Sequence, residues 1–499
     1  MPDRIFLQHG ERVLKLTPRD CHPAIPFFVQ MLNMAKFVQT FTIYGQQLLN
    51  YIYIMKIIVV GSGGREHAIS WKLAQSSLVS EIICVPGNGG TAHEEKCRNI
   101  TFSDCPYLNG DKSISSYVKI ATQEGCDFAV IGPEDPLAEG IADLFWQAGI
   151  PCVGPKKAGA QLEASKDAAK AFMKKYKVAC AASETFENEQ DAISYIEKHG
   201  APIVIKADGL AAGKGVVVAA TVQEAVNAVK DIMENGKVGN AGKKIVIEDY
   251  LEGVEISVLA AVCVTEKTAA SGKATIIPFL PARDHKRLLD GAKGPNTGGM
   301  GAVCPLSDVT PEIMEQFNQS CLEPTLKGLI AEKFDYRGFI FFGVMLTKDG
   351  PKLLEYNVRL GDPETQAVLP MMNFDFAALC KAIAEENLKD FNCTWKNGFS
   401  AAPVAVSGGY PQSYAKGKEI SINEQAVANT GAKVFIAGAI EENGKLLTSG
   451  GRVLACSAFG QTFEKAWQAS YEALKNINFE GMFYRNDIGL PGAAESGKL

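Results

Sequence analysis

No two of the 13 cysteines stand in a Cys-x-x-Cys spacing. That removes the ligand pairing usual in structural zinc sites and the dithiol usual in redox centres. Histidine is scarce, six in 499 residues with no His-Glu-x-x-His, so a histidine-rich metal centre is not expected. No apolar run reaches the roughly 18 residues of a membrane-spanning helix. Basic charge is not in excess: 50 Lys and Arg stand against 56 Asp and Glu, for a net charge of −6. A protein whose main partner is a nucleic-acid backbone or an anionic membrane needs the opposite balance. Internal repeats and low-complexity segments are also missing. The cysteines sit in apolar settings such as Ile83-Cys84-Val85 and Val262-Cys263-Val264. They read as small core residues with reduced thiols, as in a cytoplasmic enzyme.

What is present is ordinary globular composition, 46% hydrophobic and 21% charged. The length suits three or four domains at roughly 150 residues each. Residues 1–54 carry scattered charges and end in the aromatic run TFTIYGQQLLNYIYI, without the order of a secretory signal. They read as an extension, unstructured or not native, with translation starting naturally at Met55. From there strands alternate with helices: KIIVV, a helix at 65–75, EIICV, a helix near 113–124, DFAVIG, and an exit strand in 149–155. Such alternation predicts a parallel sheet with helices on its faces. A helix is expected over 158–176, then the strands APIVIKAD, GVVVAA and KKIVIEDYL with a helix at 222–235 between them. Strands are expected in 255–280, helix over 310–333, and a strand pair over 337–358. Beyond 400, short strands and glycine turns precede a helix near 462–477.

The stretch IIVVGSGGREH, residues 57–67, has the form of a dinucleotide-binding turn and fails its tests. Gly61 and Gly63 fill two positions of Gly-x-Gly-x-x-Gly, but position 66 is Glu. The second strand ends Cys84-Val85-Pro86-Gly87-Asn88, with no acid to hold a ribose 2′-hydroxyl. NAD is not expected. Amides at a helix start still form an anion site, and a sugar phosphate would suit this loop together with PGNGGT. A tight strand-to-helix turn explains the same glycines.

Residues 206–218, KADGLAAGKGVVV, are not a Walker A loop. Three residues rather than four separate Gly209 from Gly213, and Lys214 is followed by Gly. The run reads as a glycine-rich hairpin folding over phosphates, with Lys206 supplying charge from a strand that offers it no evident partner. In KLLEYNVRLGDPE, residues 352–364, strand alternation puts Glu355, Asn357 and Arg359 on one face. A carboxylate and an amide oxygen suit Mg²⁺ that also holds phosphates, and Arg359 could neutralise charge developing in phosphoryl transfer. A strand with one solvated face is the plainer alternative. DHKRLLDGAKGPNTGGMGA, residues 284–302, joins a charged cluster to a glycine-rich loop; it is either functional or simply solvated.

Together these segments resemble the ATP-grasp superfamily and, within it, the phosphoribosylamine–glycine ligase family. The matching runs are GSGGREHA, PGNGGT, IGPEDPLAEGIAD, LEASK, KADGLAAGKGV, DHKR, GPNTGGMGA, EYNVRLGDPETQ, TSGGRVL and YRNDIG, in order across about 55–488. The resemblance implies an α/β and α+β chain in several parts. A preATP-grasp parallel-sheet domain would cover 55–155 and a two-lobed ATP-grasp domain 156–390, its small lobe at about 175–250. A small C-terminal mixed barrel-like domain would cover 395–488, with a tail at 489–499. It also implies joining of glycine to 5-phosphoribosylamine through glycyl phosphate, with ATP as co-substrate and Mg²⁺ (or Mn²⁺), by a monomer.

Carried residue by residue, the resemblance makes Glu355 and Asn357 the metal ligands. Lys166 and Lys206 would contact ATP phosphates beneath Asp208, Gly209, Gly213, Lys214 and Gly215. Glu248 and Leu251 would receive adenine largely through backbone groups, and Glu255 the ribose. Asp284, His285, Lys286 and Arg359 would form the catalytic set. Asn296, Thr297, Gly298, Gly299, Met300 and Asp362 would line the substrates, and Gly63, Gly64 and Asn88 would meet the sugar phosphate. The chain departs from the family pattern at Asp135, at Gly89 within PGNGGT, and at Arg283. The alternatives are another ATP-grasp carboxylate–amine ligase of purine biosynthesis, or a nucleotide-binding regulator without catalysis; a regulator has no need of Lys206, Glu355, Asn357 and Arg359.

Overall fold

The apolar run after Met55 forms a strand because both of its faces are covered: Ile57, Ile58, Val59 and Val60 are all fully buried. That strand, Met55–Gly61, is central in a five-stranded parallel sheet. The spatial order is Cys97–Asn99, Val79–Pro86, Met55–Gly61, Phe128–Ile131, Cys152–Val153. Helices Gly64–Ala74 and Ile114–Glu124 agree with the alternating pattern. Two further helices, Glu134–Glu139 and Ile141–Gln147, fill the stretch between the last two strands.

The computed structural model describes residues 7–9, 12–14, 54–210, 215–235 and 239–493. The chain divides into two compact units, Met1–Ile54 and Met55–Leu499. In the first, Leu7–His9 pairs antiparallel with Arg12–Leu14. The aromatic run before Met55 lies outside the described residues apart from Ile54.

The helix expected over 158–176 is two helices, Lys157–Ala164 and Lys166–Tyr176. Ser165 leaves helical geometry at φ −132° and caps the second helix by accepting from the Ala168 amide. A side-chain oxygen that satisfies an orphan amide favours a break there over continuation. The small lobe follows as a four-stranded antiparallel sheet, ordered Val216–Ala219, Ile203–Ala207, Ile245–Asp249, Ser183–Phe186. Helices Glu189–His199 and Val222–Met233 share its apolar core through Ile193, Ile196, Val229 and Ile232.

The large lobe is built on antiparallel strands ordered Thr275–Pro278, Val254–Val264, Tyr336–Thr347, Gly350–Asn357. The expected helix over 310–333 is present with one π turn at Asn318–Leu322. A last five-stranded sheet runs Arg283–Asp284, Gly301–Cys304, Phe399–Val406, Arg452–Gly460, Lys433–Ile436. Helix Phe463–Lys475 belongs to this C-terminal part. Two of the five strands therefore come from either end of the charged, glycine-rich stretch 284–302. The sheet ties that loop to the C-terminal region.

Candidate active site

Strand Gly350–Asn357 carries Glu355 and Asn357 on its alternating face. Opposite Glu355 in the ladder stands Gly343, where a Cβ would lie 3.3 Å from Glu355 Cγ. Burial alone would push the Glu355 carboxyl up, yet Lys286, Lys206, Lys166 and Arg359 together hold it below the usual range. Four cations from four separate segments thus act on one carboxylate.

Lys206 does have a protein partner, contrary to the expectation from its strand. Its Nζ lies 2.8 Å from Glu248 Oε1 and donates to the Leu354 carbonyl at 3.2 Å. Lys170 meets the other Glu248 oxygen at 2.8 Å. The Glu248 carboxylate therefore neutralises two buried lysines, which leaves only its backbone for the adenine role; Leu251 is half-buried just beyond it. Lys166 Nζ donates to the Gly209 carbonyl at 3.0 Å. Asp208 accepts from Ser165 Oγ at 3.0 Å and from the Asp167 amide at 3.2 Å, so it fastens the foot of the glycine-rich loop to a helix start. The Gly215 carbonyl accepts from Ala207 on the loop's far side at 2.7 Å. Gly213 and Lys214 lie outside the described residues.

In the charged stretch 284–302 Lys286 pairs with Glu255, and Asp284 and Glu355 reinforce its charge. Glu255, expected at the ribose, thus has its carboxylate on Lys286. Asp284 Oδ1 is buried without a hydrogen-bond partner among the described residues. Burial and the neighbouring Glu364 raise the Asp284 carboxyl well above its usual range. A Cβ at Gly299 would lie 2.6 Å from that oxygen, and the Gly299 φ of +118° disfavours a side chain as well. Thr297 donates twice to the Lys286 carbonyl, through its amide and its hydroxyl, both at 2.8 Å. The Gly298 amide donates to Tyr410 Oη at 2.8 Å, and its carbonyl accepts from Arg452. Met300 is fully buried, so its side chain belongs to the core, whereas Asn296 is exposed beside Arg287.

His285 was expected in the catalytic set, and its surroundings oppose that. It is 2% exposed, its Nδ1 lies 3.1 Å from the Gly301 carbonyl, and its Nε2 accepts from the Gly489 amide at 3.0 Å. Burial, with Arg485 nearby, pushes the imidazole down to about 4. A neutral ring with both nitrogens on backbone groups is a strut between DHKR and the C-terminal segment. Arg283, a departure from the family pattern, places its guanidinium on Asp308 at 2.8 and 3.3 Å and on the Glu255 carbonyl. The other charged departure, Asp135, stands in a helix first turn where burial and Glu134 push its carboxyl up.

The opening loop is filled by the protein itself. The Gly63 amide donates to Glu66 Oε2 at 2.6 Å, and the Arg65 amide to Asp362 Oδ2 at 3.4 Å. A Cβ at Gly64 would sit 2.6 Å from Gln366 Nε2. The Asn88 amide group donates to the carbonyls of Ser62, Gly63 and Ile436, and its oxygen accepts from Gly90 and Thr91. Asn88 is therefore a clamp between loops, with no capacity left for a phosphate. Asp362 accepts from Gln366 at 2.8 Å; burial opposes its ionisation, but Arg452 and Arg65 hold it low.

Several charged neighbours of Arg359 and Asp362 escaped the sequence reading. Arg359 lies between two carboxylates, Glu134 at 3.1 Å and Glu163 at 2.8 Å, and reaches Asn357 Oδ1 at 3.4 Å. Arg359 and Arg65 hold Glu134 at about 2 against its burial. Burial, with Glu134 nearby, pushes Glu163 up to about 7 against the pull of Arg359. Arg65, Glu134, Glu163 and Arg452 all stand inside matching motifs. Their spacing gave no hint that motifs some 70 to 300 positions apart exchange charges, so the motif membership was the only available signal.

The Phosphoribosylglycinamide synthetase models match along the chain: the N domain at 55–163, the ATP-grasp (A) domain at 164–365 and the C domain at 400–491. The chain is 48% identical to the phosphoribosylamine–glycine ligase of Clostridium acetobutylicum over 87% of its length and 99% of that protein. It is 43% identical to that of Vibrio vulnificus, over 87% and 98%. A crystal structure of the Thermotoga maritima phosphoribosylamine–glycine ligase aligns at a TM-score of 0.72 with 33% identity, covering 87% of this chain and all of that one. The biotin carboxylase domain of Hydrogenobacter thermophilus 2-oxoglutarate carboxylase, in complex with MgADP, shares the fold at a TM-score of 0.65 and 16% identity. With all three domain models in order and relatives this similar over nearly their full length, the chain belongs to the phosphoribosylamine–glycine ligase family.

Proposed function

We propose that this chain joins glycine to 5-phosphoribosylamine with cleavage of ATP, giving glycinamide ribonucleotide, ADP and phosphate in de novo purine biosynthesis. The observation that carries the reading is the placement of Glu355 and Asn357 on one face of strand Gly350–Asn357, with Arg359 two residues on and Lys166, Lys206 and Lys286 near enough to hold the Glu355 carboxyl low. Cations grouped around one carboxylate make a site for a triphosphate whose charge is shared with a divalent ion. The described residues hold no group of three or more His, Cys, Asp or Glu side chains able to cage a metal. Glu355 and Asn357 instead offer one carboxylate and one amide oxygen, which fits Mg²⁺ that completes its shell with phosphate oxygens and water. When bound, the ion supplies charge neutralisation at the transferred phosphoryl group.

A carboxylate is a poor acyl donor, which is why ATP is needed. A glycine carboxylate oxygen attacks the γ-phosphorus and ADP leaves, forming glycyl phosphate. The ribosylamine nitrogen then attacks the acyl carbon, phosphate leaves, and the nitrogen loses a proton. In the first step Lys166 and Lys206 hold the phosphates, and Arg359 faces the charge that develops between donor and acceptor. Asp284, whose buried Oδ1 has no hydrogen-bond partner among the described residues, and Lys286 face glycine; His285 holds them in place. The free thiols of all described cysteines support work in the reducing cytoplasm, and we read the enzyme as a monomer.

The test is ADP release by the purified protein. It should require glycine and reach full rate only with phosphoribosylamine present. Release driven by formate or bicarbonate instead would move the chain to another carboxylate–amine ligase. Glu355→Gln should fold normally and lose turnover about 100-fold or more at low Mg²⁺; near-normal turnover there would remove Glu355 from the metal site.

A further inference from the structure

The reaction as described uses one member of LEASK, residues 162–166, namely Lys166. The motif's Glu163 sits at the end of helix Lys157–Ala164 and is only 8% exposed. Both of its oxygens go to consecutive residues just past the strand that carries Glu355 and Asn357. Oε1 lies 2.8 Å from Arg359 Nη2, and Oε2 accepts from the Val358 amide at 2.7 Å.

We propose that Glu163 is the positioning residue of Arg359: it grips the guanidinium from behind and fixes the peptide from which that side chain springs. The proposal rests on the reading of Arg359 as the group that faces the transferred phosphoryl.

Glu163 is better placed for this than the other carboxylate on Arg359. Glu134 touches Nε at 3.1 Å, is shared with Arg65 at 3.7 Å, and has a side chain 30% exposed against 7% for Glu163. A planar guanidinium held at Nη2 and Nε has its orientation set by those two contacts, whereas its long stem alone would leave it free to rotate. Its remaining contacts are weaker, with Nη1 donating to the Leu360 carbonyl at 3.3 Å and Nη2 to Asn357 at 3.4 Å. Holding the Val358 amide adds a second constraint, because Val358 is the only residue between Asn357 and Arg359. Glu163 therefore keeps those two side chains in a fixed relation. A misplacement of about 1 Å in such a group costs roughly 100-fold in rate.

Steady-state kinetics on the full chain separates the possibilities. Arg359→Ala should lose about 100-fold or more in kcat; if it turns over like wild type, the role given to Arg359 is wrong irrespective of Glu163. With Arg359→Ala impaired, Glu163→Gln is assayed at about pH 8.5, where a carboxyl with a value of about 7 is ionised; it keeps an acceptor for the Val358 amide but surrenders the charge. It should lose about 100-fold in kcat with the KM for ATP unchanged and a native near-ultraviolet circular dichroism spectrum. Millimolar guanidine should restore part of the Arg359→Ala rate, and should restore none in the Glu163→Gln/Arg359→Ala double variant. If Glu163→Gln does not fold, Glu163→Asp, which keeps the charge and shortens the reach, should lower kcat at unchanged KM. Wild-type kcat in a folded Glu163 variant, or equal guanidine rescue in single and double variants, overturns the proposal.

Discussion

His285 shows how an apparently reactive side chain is read by its surroundings. An imidazole beside Asp284 and Lys286 suggests acid–base work, but here it donates to one backbone carbonyl and accepts from one backbone amide. Only the neutral ring can do both, and burial lowers its folded value to about 4 against about 6.5 when unfolded. Between those values the unfolded chain binds the extra proton, so His285 contributes stability at neutral pH that is lost as pH falls from about 6.5 towards about 4. The amount is on the order of 3 kcal/mol. His285→Gln, whose amide can also donate and accept, should remove this dependence. In urea titrations, the stability advantage of wild type over the variant should shrink between pH 7 and pH 5; a constant difference would mean that the ring is not held neutral. Lys206 teaches the converse. Its importance was legible from a charge in a buried-looking strand, but Glu248, its neutralising partner, stands some 40 positions away and becomes its neighbour only through pairing of Val246 with Lys206.

Among the elements, the break between helices Lys157–Ala164 and Lys166–Tyr176 sets the positions of both Glu163 and Lys166. The composition AGAQLEASKDAAKAFMKKY favours one continuous helix, since Ala, Leu, Lys and Glu all have high propensity. Ser165 ends it because its hydroxyl has two uses in the folded chain: it caps the following helix and binds Asp208 at the foot of the glycine-rich loop. The break turns Glu163 towards Arg359 and Lys166 towards Gly209. Ser165→Ala should cost about 1 kcal/mol of stability through the lost cap. It should also raise the KM for ATP several-fold by loosening Asp208, as measured by urea unfolding and by ADP release. Unchanged KM with the stability loss would mean that the loop does not depend on the cap. The strands fared differently. Period-two or continuously apolar runs such as KIIVV and PIVIKA announce themselves locally, and the sheets contain them where expected.

Across the chain, the last sheet takes two strands from 283–304 and three from beyond 398, so the charged loop and the C-terminal region fold as one body. Arg452 and Tyr410 from that region then bind Gly298, and Arg485 donates to the Arg287 carbonyl at 3.0 Å. Met55 to Gly61 is by contrast complete in its own partners on both edges. A chain beginning at Met55 should therefore fold, with the kcat and thermal midpoint of the full chain. Loss of solubility or activity on that truncation would show that residues 1–54 belong to the working protein.

The order of motifs, the alternating first domain and the placing of Glu355 and Asn357 on one strand face were legible in the sequence. Each depends on short-range pattern: strand periodicity, glycine where backbone must turn, and a carboxylate and an amide two positions apart on one strand face. What the tertiary structure decided was the pairing of charges between those motifs. Glu163 with Arg359, Glu248 with Lys206 and Asp362 with Arg452 decide which charged side chains hold one another in place. Short-range pattern reports which face a side chain takes; which charge faces it across the fold follows only from packing, because ion pairs form between whichever groups the sheets and helix ends bring within a few ångströms.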